Sequence, residues 1–152
     1  MSTGDLFDYP TGTPTEPAQQ PLPPATFLAD ADERDWETLI SYTQTRELYA
    51  NEVAFKEGDL DRAFYLLTVG QLEISSRGSP VDVIDAPAPL NEIAFFDDGR
   101  CAATARAVTD SALLRLSVDA FESLAMREPV LARRILLDLG RIVARALRSV
   151  GA

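Results

Sequence analysis

Val53-Ala54-Phe55-Lys56-Glu57-Gly58-Asp59-Leu60-Asp61-Arg62-Ala63-Phe64-Tyr65-Leu66-Leu67-Thr68-Val69-Gly70 is the stretch that decides the fold. Two runs of β-type residues, 53–55 and 64–68, are separated by Glu57-Gly58-Asp59 and closed by Val69-Gly70, both turn signals. Short strands this close together leave no room for a helical crossover, so they belong to an antiparallel arrangement.

The same rhythm extends outward. Further β-type runs stand at 47–50, 72–75, 81–85, 103–108 and 112–116. Their punctuation is Ala50-Asn51-Glu52, Arg77-Gly78-Ser79-Pro80 and Asp97-Asp98-Gly99. Seven or eight such strands predict an antiparallel sandwich or barrel.

Helices flank this region. Asp30 stands three residues before Glu33, the spacing of a capping box, and Trp36, Leu39 and Ile40 supply an apolar stripe, predicting a helix over about 31–42. Ser117 caps a short helix through Met126, and Pro129 opens a second that runs to about 149. In the latter, Leu131, Ile135, Leu136, Leu139, Ile142, Val143, Ala146, Leu147 and Val150 form one broad apolar face. Arg134, Asp138, Arg141, Arg145 and Arg148 fall on the opposite, solvent-facing side. Gly140 is a mild weak point in the middle.

The chain has 152 residues, enough for one domain with a real core. Residues 1–25 hold six of the ten prolines, three acids and no base, a composition that predicts a disordered acidic tail ahead of a domain over 26–152. Leu6-Phe7-Asp8-Tyr9-Pro10 within the tail reads as incidental aromatics or a short docking motif.

The formal charge of −10 repels polyphosphates, so nucleic acid is not an expected partner. Six arginines against two acids in residues 123–150 leave a net of +4 there and −14 in the rest, an asymmetry that reads as a basic helix. No histidine is present, which removes the usual catalytic triads and imidazole metal sites. A lone Cys101 forms no internal disulfide or zinc cluster. No catalytic residues and no metal site are therefore expected, and a small cupin-like enzyme on the same barrel is disfavoured. No apolar run reaches the length of a membrane span and the start lacks a signal peptide, so a cytoplasmic protein without membrane contact is expected.

A short helix, an eight-stranded jelly roll and two closing helices resemble the cyclic nucleotide-binding domain family, which includes bacterial catabolite activators and regulatory subunits of cyclic-AMP-dependent kinase. Phe55-Lys56-Glu57-Gly58-Asp59, then Phe64-Tyr65-Leu66-Leu67 and Gly70, is similar to the family's Phe-x-x-Gly-Asp, aromatic-apolar strand and Gly. Glu92-Ile93-Ala94-Phe95-Phe96, 22 residues beyond Gly70, resembles its Glu-Leu-Ala-Leu-Leu. The likeness covers about 27–150. Read without the family, Gly58 and Gly70 serve turns. Phe55, Phe64, Tyr65, Phe95, Phe96 and Phe121 are core, and Cys101 is a small buried residue.

The resemblance implies a ligand cassette for a cyclic mononucleotide, cyclic AMP or cyclic GMP, with cyclic dinucleotides as further candidates. In the family a glutamate holds the ribose hydroxyls, a short helix offers N–H groups to the phosphate, and an arginine nine residues past the glutamate pairs with it. Carried over, these are Glu92, the helix begun by Ile93 and Ala94, and the segment Arg100, Cys101, Ala102 and Ala103. The cassette departs from the pattern. Asn91 replaces the glycine before the glutamate, the lead-in is Pro87-Ala88-Pro89-Leu90-Asn91, and the position nine beyond Glu92 is Cys101, with Arg100 one place early. If a strand has begun at residue 100, Arg100 points away from the pocket; if residues 97–100 are a turn, it swings back over it. A charged hydrogen bond is worth about 1.5–3 kcal/mol, so a missing arginine weakens phosphate binding roughly ten- to a hundredfold. Glu92 and Arg100 otherwise read as a rim ion pair or unrelated surface charges.

The sequence closes at Ala152 without a helix-turn-helix, so the expected role is a stand-alone sensor or adaptor that acts on a partner protein in trans, with weak cyclic nucleotide binding. The alternative is a degenerate domain that binds no nucleotide and serves as an interaction or homodimeric assembly module through residues 130–150.

Overall fold

The computed structural model describes residues 27–149. The expected acidic tail, its aromatic motif and Val150 lie outside the described residues. Twelve elements follow in order: α1 Glu33–Ser41, β1 Gln44–Leu48, β2 Val53–Phe55, β3 Ala63–Val69, β4 Gln71–Ser76, β5 Ser79–Asp85, β6 Ala88–Leu90, α2 Glu92–Phe96, β7 Thr104–Ala107, β8 Ser111–Ser117, α3 Val118–Arg127 and α4 Pro129–Ser149.

The strands form two four-stranded antiparallel sheets, ordered β1-β8-β3-β6 and β2-β7-β4-β5. They are the two halves of the expected jelly roll. β3 and β8 are inner strands whose side chains are buried on both faces. Phe64, Leu66, Leu114 and Leu116 pack against the helices with Trp36, Leu39, Phe121, Leu124 and Ile135. Tyr65, Leu67 and Leu113 point between the sheets, where they meet Leu72, Leu90, Ala105 and Cys101. This period-two alternation is why the run 63–67 is buried throughout.

Turns keep the sheets in register. Arg77 and Gly78 both take positive φ between Ser76 and Ser79, the two-residue turn whose twist suits a hairpin. Gly70 has φ +100°, and a Cβ there would stand 2.1 Å from the Ser111 hydroxyl oxygen, so no larger residue fits.

Several expectations are corrected. Residues 88–90, read only as the lead-in to Glu92, form strand β6; as an edge strand it pairs with β3 alone and tolerates Pro89. β1 begins at Gln44, earlier than the 47–50 run, and α1 is capped by Asp32 with Asp35 instead of Asp30 with Glu33. Asp32 Oδ1 accepts from Asp35 N at 2.8 Å and Asp35 Oδ2 from Asp32 N at 3.3 Å. Phe96 is not core; the residue is 46% exposed.

The apolar face of α4 is also divided. Leu131, Ile135 and Leu139 are buried, while Leu136 and Leu147 remain exposed. Two of its polar residues are not solvent-facing bystanders. Asp138 accepts the Leu28 backbone N–H at 2.8 Å, and Arg134 pairs with Asp35 at 3.0 Å, tying α4 to the start of the domain.

Candidate functional site

The site begins where β6 runs into α2. Asn91 has φ +68° and ψ 27°, the left-handed region where asparagine substitutes for glycine at least cost. Its amide Nδ2 donates to Ala63 O at 2.8 Å, which locks the turn to the start of β3. The sharp turn that a glycine would give is thus retained, and Glu92 emerges as the first residue of α2.

Glu92 lines a cavity of about 250 Å³ on the open side of the roll. Phe55 of β2, Ile74 of β4, Ile84 of β5 and Pro89 and Leu90 of β6 contribute apolar wall. Asn91, Glu92 and Ile93 come from the β6–α2 junction, and Ala102 and Ala103 from the segment before β7. Burial pushes the Glu92 carboxyl up from its ordinary pKa, and its own backbone amide pulls the other way. Alternate strand residues from both sheets and the 91–93 turn therefore converge on one recess, as the fold of β6 onto β3 requires.

Of the seven residues singled out from the sequence, the structure brings Glu92, Ile93, Ala102 and Ala103 together around this cavity. Ala94 is fully buried on the inner side of α2. Cys101 is 3% exposed in the core between the sheets, and burial, then Asp61, raises its thiol pKa. Arg100 is exposed and does not line the cavity. Its Nη1 donates to Gly58 O at 3.1 Å and its backbone N–H to Asp98 Oδ1 at 2.9 Å.

The direction of Arg100 has a backbone cause. Leu60 and Arg100 form an isolated antiparallel bridge, Cys101 N donates to Asp59 O at 2.9 Å, and Gly58 N donates to Cys101 O at 2.8 Å. Pairing has begun at residue 100 even though β7 starts at Thr104, so alternate side chains already face opposite ways. Arg100 goes outward to the 57–60 loop and Cys101 inward.

A polar network stands behind Phe55, whose ring lies 5.1 Å from that of Tyr65. The Tyr65 hydroxyl donates to Asp61, and Arg115 donates to Asp61 Oδ1 from Nε at 3.1 Å and Nη2 at 2.6 Å. Arg115 Nη1 also reaches Gln44 Oε1 at 2.8 Å. Burial, reinforced by the hydrogen bond to Asp61, pushes the Tyr65 pKa up to about 12. Sequence reasoning missed this network and the lining by Phe55, Ile74, Ile84, Pro89 and Leu90; the Phe-x-x-Gly-Asp motif was the nearest signal, since it places Phe55 and the following loop.

Among the described residues no cluster of three or more Cys, Asp or Glu is arranged to hold a metal ion, and no helix is long and apolar enough to cross a membrane.

The family model for the cyclic nucleotide-binding domain matches residues 45–128, which run from β1 through α3. The chain belongs to the cyclic nucleotide-binding domain family. The cyclic AMP receptor protein of Thermus thermophilus is 30% identical over 115 residues, 72% of this chain and 51% of the relative. The crystal structure of the Thermus thermophilus catabolite activator protein superimposes with a TM-score of 0.69 at 26% identity, over 80% of this chain and 58% of that one. A cyclic nucleotide-binding domain from Methylobacillus flagellatus gives a TM-score of 0.73 at 20% identity, covering 82% of this chain and 73% of that one, a likeness of fold. The chain spans about half the length of the curated relative that it matches. The β6–α2 junction that carries Glu92 lies within the matched segment.

Proposed function

We propose that this domain is a regulatory sensor, in which a small ligand in the cavity beside Glu92 alters α2 and α4 and so changes how α4 meets a partner protein or a second copy of the chain. The observation that carries this reading is the position of Phe95. It lies on α2, three residues past Glu92, and its ring packs edge-on against Phe64 of β3 at 5.3 Å and Phe121 of α3 at 5.5 Å. A ligand that shifts α2 must move this aromatic hinge, and α3 leads directly into α4. In a packed core such a displacement is passed on and not absorbed.

Cyclic AMP or cyclic GMP is held weakly in this reading, because Arg100 is engaged at Gly58 O and no arginine lines the cavity. The output goes through α4, with no catalytic role for the domain and neither membrane nor nucleic acid as its partner. A thermal-melt series with millimolar cyclic AMP, cyclic GMP and a cyclic dinucleotide tests it. Ligand equal to its dissociation constant stabilises the fold by about 0.4 kcal/mol, so a small rise in Tm that grows with ligand concentration is the expected result. No shift with any small molecule tried would oppose the sensor reading.

One observation favours a second reading, a ligand-free assembly module. Leu136, Gly140, Val143 and Leu147 follow one another at intervals of four, three and four along α4, the repeat of a coiled-coil seam. Nothing stands within 4 Å of where a Gly140 Cβ would be, so the seam is open to a second helix. A homodimer through this helix is compatible with either reading; without a ligand it would be the whole function.

A further inference from the structure

The chemistry of the cavity wall also selects a class of ligand, given the reading of the cavity as a ligand site. Phe55, Ile74, Ile84 and Ile93 offer an apolar surface, and Glu92 is the one charged side chain on the lining. No lysine or arginine lines the cavity. Arg100 is bonded to Gly58 O outside the cavity. Arg115 is paired with Asp61, and Arg46 Nη1 donates to Ala54 O at 2.6 Å. An anionic ligand here would leave water for an apolar recess in which the fixed charge has its own sign, and both desolvation and repulsion act against it.

We propose that the cavity takes a small uncharged or positively charged molecule with a compact apolar body and hydroxyl or amine groups that donate to Glu92, in preference to a cyclic phosphate. The Glu92 carboxylate gains from such a ligand, since hydroxyl and amine donors stabilise its charge where burial disfavours it. At about 250 Å³ the cavity is smaller than most drug-sized sites, which run to about 300–1,000 Å³, so the ligand is compact.

Adenosine and cyclic AMP make a matched pair for the test, because base and ribose are common to both and cyclic AMP adds the anionic phosphodiester. Calorimetric titration of the full chain is expected to show adenosine binding at least about tenfold tighter. Ala102 is exposed and lines the cavity, so Ala102→Arg sets a guanidinium at its mouth without burying it. That variant is expected to shift the preference toward cyclic AMP by roughly ten- to a hundredfold. Glu92→Gln removes the like charge and is expected to narrow the preference. Tighter binding of cyclic AMP than of adenosine by the wild type overturns the inference and leaves the ligand-site reading standing. Binding of neither overturns it too; cyclic AMP binding by Ala102→Arg would then show the cavity intact, whereas silence there removes the ligand-site reading as well.

Discussion

Arg100 donates to the carbonyl of Gly58 at 3.1 Å, so the guanidinium one residue short of the family's phosphate position closes a loop and not a ligand. Arg100→Ala is therefore expected to change cyclic AMP affinity by less than about twofold. Stability should fall by no more than about 1 kcal/mol, the usual worth of one exposed hydrogen bond. Titration calorimetry with a denaturant melt checks both; a ten- to hundredfold loss of affinity would place the side chain over the ligand after all.

The turn into α2 depends on Asn91. Asn91→Gly keeps the left-handed backbone and loses the bond to Ala63 O, a cost of about 1 kcal/mol. Asn91→Val loses the bond and also forces a β-branched residue to φ +68°, adding roughly 1–2 kcal/mol. Urea denaturation of the two variants should rank them in that order below the wild type.

Tyr65 ties stability to alkaline pH. Its folded pKa of about 12 lies above the ordinary value of 10.0, so the folded state keeps a proton that the unfolded state releases. The contribution is full below pH 10 and is lost as pH rises toward 12, with a slope approaching about 1.4 kcal/mol per pH unit. Tyr65→Phe is expected to flatten that slope and to cost about 1–3 kcal/mol at neutral pH by leaving Asp61 short of a donor. Melts across pH 8 to 12, compared between the two proteins, measure the effect.

Glu92 acts with the same sign in a more acidic window. Burial raises its pKa, so ionisation at neutral pH costs the folded state, and that cost vanishes as pH falls below the ordinary carboxylate range. Glu92→Gln is expected to raise Tm at pH 7 without ligand, with the gain shrinking toward acid. An unchanged or lowered Tm at pH 7 would mean that Glu92 is stabilised by its surroundings.

In the proposed dimer the exposed seam of α4 governs association. Leu136 is 39% and Leu147 63% exposed, so replacing both with Glu should leave the roll's stability within about 0.5 kcal/mol. The same pair is expected to turn a dimer into a monomer in a light-scattering mass measurement. A wild type that is monomeric at every concentration would contradict the dimer.

Local pattern carried much of the fold. The runs that became β2 to β5, β7 and β8 alternate or lie between glycine turns, and the burial of β3 on both faces matches its unbroken apolar stretch, whereas in β8 Arg115 interrupts the leucines. What escaped was decided by partners distant in sequence. Pro89 forbids an inner strand but not an edge strand, and its place at the edge is set by β3. Asp30-Ala31-Asp32-Glu33-Arg34-Asp35 allows two capping registers, and the one adopted puts Asp35 against Arg134, 99 residues away. Asp61 and Arg115 are 54 residues apart with no motif joining them.

The candidate site was legible to a similar degree. Glu92 and the paired alanines at 102 and 103 could be placed from motif spacing, while the aim of Arg100 turned on whether pairing begins at residue 100. That is a tertiary matter, settled by hydrogen bonds from Gly58 and to Asp59 that no local signal announces.

In the proposed sensor the cavity is coupled to α4. Amide hydrogen exchange of the full chain, with and without millimolar adenosine or cyclic AMP, tests it most directly. The expected result is a ligand-dependent change in protection in α2 and in the 136–147 segment of α4, with the outer sheet β2-β7-β4-β5 altered only where it lines the cavity. Binding that slows exchange around Glu92 and leaves every amide of α4 unchanged would contradict a sensor that signals through its last helix.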